Sequence, residues 1–175
     1  MDQERLDRVL ADVGDVTKLP MDDLRSRRAE AQELEVVLSY QRRVAQGRLD
    51  IVAAEQRRRR EGGEPPSADD LVRSLTTVLA DRSRGPGLGR LPQLMTPEAG
   101  EVDTSDLDAV VGPGSLVRLT ELPDDELARI VDALSGYETD VSARRRTLHE
   151  RIDQLQAEIT RRYRTGEASV ESLLR

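Results

Sequence analysis

Glu35, Ser39, Arg42, Gln46 and Asp50 follow the spacing E-x3-S-x2-R-x3-Q-x3-D, and Glu138, Ser142, Arg145, His149 and Asp153 repeat it with one exchange, His149 for Gln46. At about 100° per helical residue these offsets fall within roughly 80° of arc, so five polar side chains share one strip. With residue frequencies of about 5–10% each, four identities in one fixed register arise by chance about once in 10⁴ to 10⁵. The chemistry on offer suits guanine. Arginine donates bidentately to O6 and N7 and also meets phosphates, while carboxylates accept from N1–H and the 2-amino group. Serine and glutamine serve phosphate, ribose or base edges. Adenine presents the opposite donor pattern at its six-position. Histidine both donates and accepts, with a charge that varies with pH.

Two long helices must carry these strips. Offset by 103 positions, Leu19-Pro20 falls on Leu122-Pro123, Leu24 on Leu127, Glu55 on Glu158, Arg58-Arg59 on Arg161-Arg162 and Gly63-Glu64 on Gly166-Glu167, the pattern of a tandem duplication. Each unit opens with proline followed by acids (Asp22, Asp23; Asp124, Asp125, Glu126) and stops at glycine (Gly62-Gly63; Gly166). Heptads place Ala31, Leu38, Ala45 and Val52 on one seam row of the first helix, and Leu134, Val141, Leu148 and Leu155 on that of the second. The other row holds Glu35, Arg42, Leu49 and Gln56, matched by Glu138, Arg145, Ile152 and Ile159. Glu and Arg thus stand where Leu or Ile is expected. Leaving them there without full pairing costs several kcal/mol, which a ligand would recover. The plainer reading is a coiled coil whose polar core residues set register. Gly47 lies inside the first helix, where close approach of a ligand or backbone is one reason to keep it.

Composition narrows the class. Of 175 residues 37% are hydrophobic and 35% charged, and Phe, Trp and Cys are absent. A helical hairpin can be built from this, whereas a large globular core, a disulfide frame or a thiolate metal site cannot. A formal net charge of −7 argues against direct DNA binding. No run resembles a signal peptide or a membrane span, so the expected location is cytoplasmic. One His and no Cys leave little for an enzyme, and no metal cluster is expected. The Gly85–Arg90 run lacks the Lys-Ser/Thr ending of a phosphate loop.

The doubled motif resembles the signature of the RsiG family, actinobacterial anti-sigma factors that bind cyclic di-GMP. The resemblance covers Leu19–Glu61 and Leu122–Arg164, with His149 the one departure. It implies an all-α fold: a long antiparallel two-helix coiled coil with short accessory helices and a partly disordered connector. It implies cyclic di-GMP held between the motif helices by the ten residues named above, as a regulatory ligand rather than a substrate. It also implies a WhiG-type sporulation sigma factor as partner, sequestered when the second messenger is abundant. The rival is a ligand-free coiled-coil adaptor on RNA polymerase or another regulator. The expected layout is an N-terminal amphipathic helix in 1–16, a first motif helix in 19–63, a connector in 64–121 with a short helix near 67–81, a second motif helix in 122–166, and a tail in 167–175. Short extended pieces are expected at Ala109–Val111 and Leu116–Leu119. Leu6 and Leu10 could meet the sigma factor or pack on the protein's own helices. Arg57–Arg60 reads as a solvated run, while Arg144–Arg146 could also meet an acidic or nucleic-acid surface. Whether the helices pair within one chain or by swapping stays open.

Overall fold

Five helices follow one another in the computed structural model, which describes residues 3–11, 14–63 and 104–168. They are α1 (Gln3–Leu10), α2 (Met21–Glu61), α3 (Ser105–Val110), α4 (Pro113–Val117) and α5 (Asp124–Thr165), with 3₁₀ turns at Val16–Lys18 and Leu119–Glu121 before the two long helices. Among the described residues every regular element is helical. The expected helix near 67–81 and the residues beyond 168 lie outside the described residues.

The long helices start and stop where their chemistry says they should. The carbonyls of Pro20 and Pro123 accept the first intrahelical bonds, from the amides of Leu24 and Leu127, at 3.1 Å each. Both therefore stand as N-cap residues rather than inside the first turn. At the far end of α2, Gly62 adopts φ 69°, its amide bonds Arg59 O, and the Gly63 amide bonds Arg58 O. That is a Schellman cap, and it needs a residue without a Cβ penalty at positive φ. Gly166, with φ 78°, plays the same part after α5.

The chain divides into two compact units, each with material from both repeats. The first comprises residues 1–39 and 142–175, the second 40–141. Within each, parts of α2 and α5 pack antiparallel in one chain. In the first unit Arg28 Nη1 donates to Gln156 Oε1 at 2.5 Å, and Arg25 donates to the hydroxyl of Tyr163. Its core includes Leu24, Leu155 and Ile159, with Val16, Leu19 and Tyr163 against them. In the second, Ala45, Val52, Leu107, Val111, Leu119, Leu127 and Leu134 form one cluster.

The first seam row is as expected: Ala31, Leu38, Ala45, Val52, Leu134, Val141, Leu148 and Leu155 are all buried. The second row differs. Glu35, Arg42, Leu49 and Gln56, like Glu138, Arg145 and Ile152, are only half-buried, and Ile159 alone is buried. The motif thus borders the seam instead of filling it, and its polar groups keep access to water.

The stretch before the second long helix also departs from expectation. Ala109–Val111 and Leu116–Leu119 are not extended pieces: α3, α4 and a 3₁₀ turn take their place, and of these residues Val111, at the end of α3, has extended dihedrals. Asp106 and Asp108 favour the start of α3, and Leu107 and Val111, four apart, put two apolar side chains into the second unit's core. The Arg48 guanidinium, itself buried, donates to the carbonyls of Leu107 and Val111 and to the Asp108 carboxylate, closing the last turn of α3. Leu6 of α1 is fully buried in the first unit, and Leu10 is half-buried. Surface ion pairs from Arg5 to Glu30 and Glu33, and from Arg8 to Glu30, fasten α1 to α2. Around Gly47 an added Cβ would meet no atom within 4 Å, so no neighbouring backbone among the described residues requires a glycine there.

Candidate functional site

Each unit unites the glutamate of one motif with the arginine of the other. In the first, Arg145 Nε donates to Glu35 Oε1 at 2.9 Å and to Ser39 Oγ at 2.8 Å, and Ser39 Oγ donates to Glu35 Oε1 at 2.7 Å. His149 Nε2 lies 3.3 Å from the same Glu35 oxygen. In the second, Arg42 Nε donates to Glu138 Oε1 at 2.9 Å, and Gln46 Nε2 donates to that oxygen, also at 2.9 Å. His149 and Gln46 therefore approach corresponding glutamate oxygens in the two units, Gln46 by a hydrogen bond and His149 at a longer distance. The glutamates are 19% and 22% exposed and their arginines 34% and 37%. At that exposure an ion pair is worth about 0–1 kcal/mol.

This corrects the expectation that motif glutamates and arginines stand unpaired in a dry seam. A polar ligand here would exchange one set of partners for another, and would not rescue buried charge. Of the remaining motif residues, Ser142 and Asp50 are half-buried on their strips and Asp153 is exposed. Asp153 makes no hydrogen bond or ion pair among the described residues, so the structure does not bring it to the Glu35–Arg145 pair. Burial pushes the Glu35 carboxyl up, but the Ser39 hydroxyl and the Arg145 guanidinium, with the nearby His149, together hold it below its ordinary value. It is an acceptor for donors such as a guanine N1–H or amino group. Arg145 makes both its bonds through Nε, and its two terminal nitrogens make no hydrogen bond among the described residues. Concavities of about 440 Å³ beside Arg27, Glu30 and Arg151 and about 380 Å³ beside Gln56, Arg59 and Asp124 are lined by other residues.

The sequence also carried a second paired device whose role was not read from it. Glu55 is 5% exposed and accepts from Arg58 and Arg59, and Arg59 reaches on to the carbonyls of Leu119, Thr120 and Leu122 and to Asp124. Glu158 does the same with Arg161 and Arg162, and Arg162 reaches the carbonyls of Val16, Thr17 and Leu19. These positions match through the offset of 103 residues. Each guanidinium satisfies the carbonyls of the 3₁₀ turn that opens the other repeat. Of the Arg57–Arg60 run, only Arg57 and Arg60 are exposed as expected; Arg58 and Arg59 are drawn onto Glu55. The signal was present in the repeat alignment as Glu with a following Arg pair, but nothing local told which carbonyls they would reach.

The sequence matches the RsiG-like family over residues 10–79 and 113–175, which takes in both long helices and both motifs. The chain belongs to the RsiG-like family. RsiG-like proteins are regulators of the anti-sigma-factor type rather than enzymes, which implies a sigma factor as partner. No curated protein matches the chain. Among the described residues no cluster of His, Asp or Glu could hold a metal ion, and no helix is long and apolar enough to cross a membrane.

Proposed function

We propose that this RsiG-like protein senses cyclic di-GMP and, when loaded, sequesters a WhiG-type sporulation sigma factor. The observation that carries the reading is the pair of matching Glu–Arg sites, each assembled from opposite motifs and each partly exposed to solvent. Each such site offers one guanine base a carboxylate acceptor and a guanidinium donor. In each, the carboxylate of Glu35 or Glu138 would pass from its arginine to the guanine N1–H and amino group. The released guanidinium of Arg145 or Arg42 would turn to O6 and N7 or to a phosphate. Ser39 and Ser142, Gln46 and His149, and Asp50 and Asp153 complete the donor and acceptor set. Since one set of partners is exchanged for another, specificity would come from the donor pattern of the base. Sigma binding and ligand binding would tighten each other by the same factor.

Calorimetric titration with cyclic di-GMP, cyclic di-AMP and GTP, with and without the sigma factor, tests this. The expected result is binding of cyclic di-GMP alone, strengthened by sigma. No binding in either condition overturns it. Arg42→Ala should abolish ligand-dependent sigma capture while leaving the helical circular-dichroism signal unchanged. One observation favours a second reading, a ligand-free adaptor: the Glu–Arg pairs already satisfy one another and would serve as register pins between helices. Under that reading Arg42→Ala lowers stability and no guanine dinucleotide binds.

A further inference from the structure

The two Glu–Arg sites differ in one atom-level respect. The nitrogen that shares the glutamate oxygen with the arginine belongs to an amide in one unit, Gln46 Nε2 on Glu138 at 2.9 Å, and to an imidazole in the other, His149 Nε2 on Glu35 at 3.3 Å. An amide keeps its donor and its neutrality at every working pH. An imidazole is the side chain that ordinarily changes charge between pH 5 and 8. His149 is the only histidine of the chain, and its side chain is 48% exposed, so the proton has free access from solvent. The charged groups around it are Glu35 from α2 and, along its own helix, Arg145 and Arg146 in the preceding turn with Glu150 and Asp153 following.

We infer that His149 makes one of the two sites proton-dependent: protonated beside Arg145, it strengthens the hold of the Glu35 site on an anionic guanine dinucleotide, while the Gln46 site is indifferent to pH. This rests on the cyclic di-GMP reading above. The physical argument is charge. With Glu35 accepting from the base, a protonated His149 and Arg145 together present two cations to phosphate or to O6 and N7, where the Gln46 site presents one. The added hydrogen bonds are charge-assisted at both donors. Linkage then requires that ligand raise the proton affinity of His149 as much as the proton raises ligand affinity. A role limited to holding Glu35 predicts the reverse, since the proton would tighten the His149–Glu35 contact of the free protein and oppose the ligand.

The test is calorimetric titration of the full chain with cyclic di-GMP at about pH 6 and about pH 8 at fixed ionic strength, for the wild type, His149→Gln and Gln46→His. His149 is half-exposed, so its replacement leaves the fold intact. The wild type should bind about fivefold or more tightly at the lower pH. His149→Gln should show no such change, and Gln46→His a steeper one. In parallel, the single imidazole C2–H resonance should titrate at a higher pH with ligand than without. Binding whose pH dependence is the same in the wild type and His149→Gln overturns the inference alone, as does tighter binding at the higher pH. Absence of cyclic di-GMP binding in all three proteins at both pH values overturns the sensor reading together with it.

Discussion

Side chains that look alike in the motif do different work from those beside it. The motif glutamates sit in half-exposed pairs that are easily traded, whereas Glu55 and Glu158 sit in tight, buried clusters that are not. Pairing with Arg161 and Arg162 outweighs burial and brings the Glu158 carboxyl from 4.5 down to about 2. A carboxyl lowered on folding contributes stability that is complete above its unfolded value and fades as pH falls through the folded one. Thermal melts should therefore show stability falling between pH 4.5 and about 2, with the difference between wild type and Glu158→Gln closing over that window. The Glu35 carboxyl, also held low, adds to the same acid-side loss. Gly47 offers a simpler case. Its helical position has room for a methyl group, so Gly47→Ala should raise stability by about 0.5–1 kcal/mol in urea titrations. If the same change also weakened cyclic di-GMP binding, ligand approach would be the reason a glycine stands there.

The short helices depend on the long ones. α3 has 6 residues and α4 has 5, too few to persist alone, and only Val111 and Gly112 separate them. What holds α3 is the burial of Leu107 and Val111 together with the Arg48 guanidinium on its last carbonyls. Replacing Arg48 with Met would keep most of the packing volume but leave those carbonyls without their donor, at a cost of about 1–3 kcal/mol. Hydrogen exchange should then accelerate at the amides of α3 while the middle of α2 stays protected. α1 is fastened differently, by partly exposed pairs to Glu30 and Glu33, and by Leu6 beneath. Raised salt screens such exposed pairs, so α1 amides should lose protection with salt sooner than those of α3.

At the level of the whole chain, duplication produced two units that are each a composite of both repeats. The Glu–Arg pairs cross from one repeat to the other, as do the contacts of Arg59 with Leu119, Thr120 and Leu122 and of Arg162 with Val16, Thr17 and Leu19. One repeat alone has an apolar stripe, a guanidinium and a set of carbonyls without their complements. Fragments 1–63 and 104–175, mixed in equal amounts, should therefore co-assemble and gain helix content over the sum of the two alone. Circular dichroism and sedimentation of the mixture check this; two fragments that keep their separate signals would contradict the composite reading.

Much of this was legible along the chain because it is local or periodic. Pro20 and Pro123 with the acids after them mark helix starts, Gly62 and Gly166 mark stops, and the row from Ala31 to Val52 names the buried seam. The ten motif residues and their registers are likewise readable, since helical spacing alone puts them on one strip. Pairing between distant residues is not periodic, and there folding decided. Only the packed helices show that Glu35 meets Arg145 and Glu138 meets Arg42, that this row lies at the seam's edge with water at hand, and that Arg59 and Arg162 turn inward to carbonyls instead of outward to solvent. The same holds for residues 104–121, whose helices draw their stability from Leu107, Val111 and Arg48 in contacts across the unit, a source of free energy that no local pattern reveals.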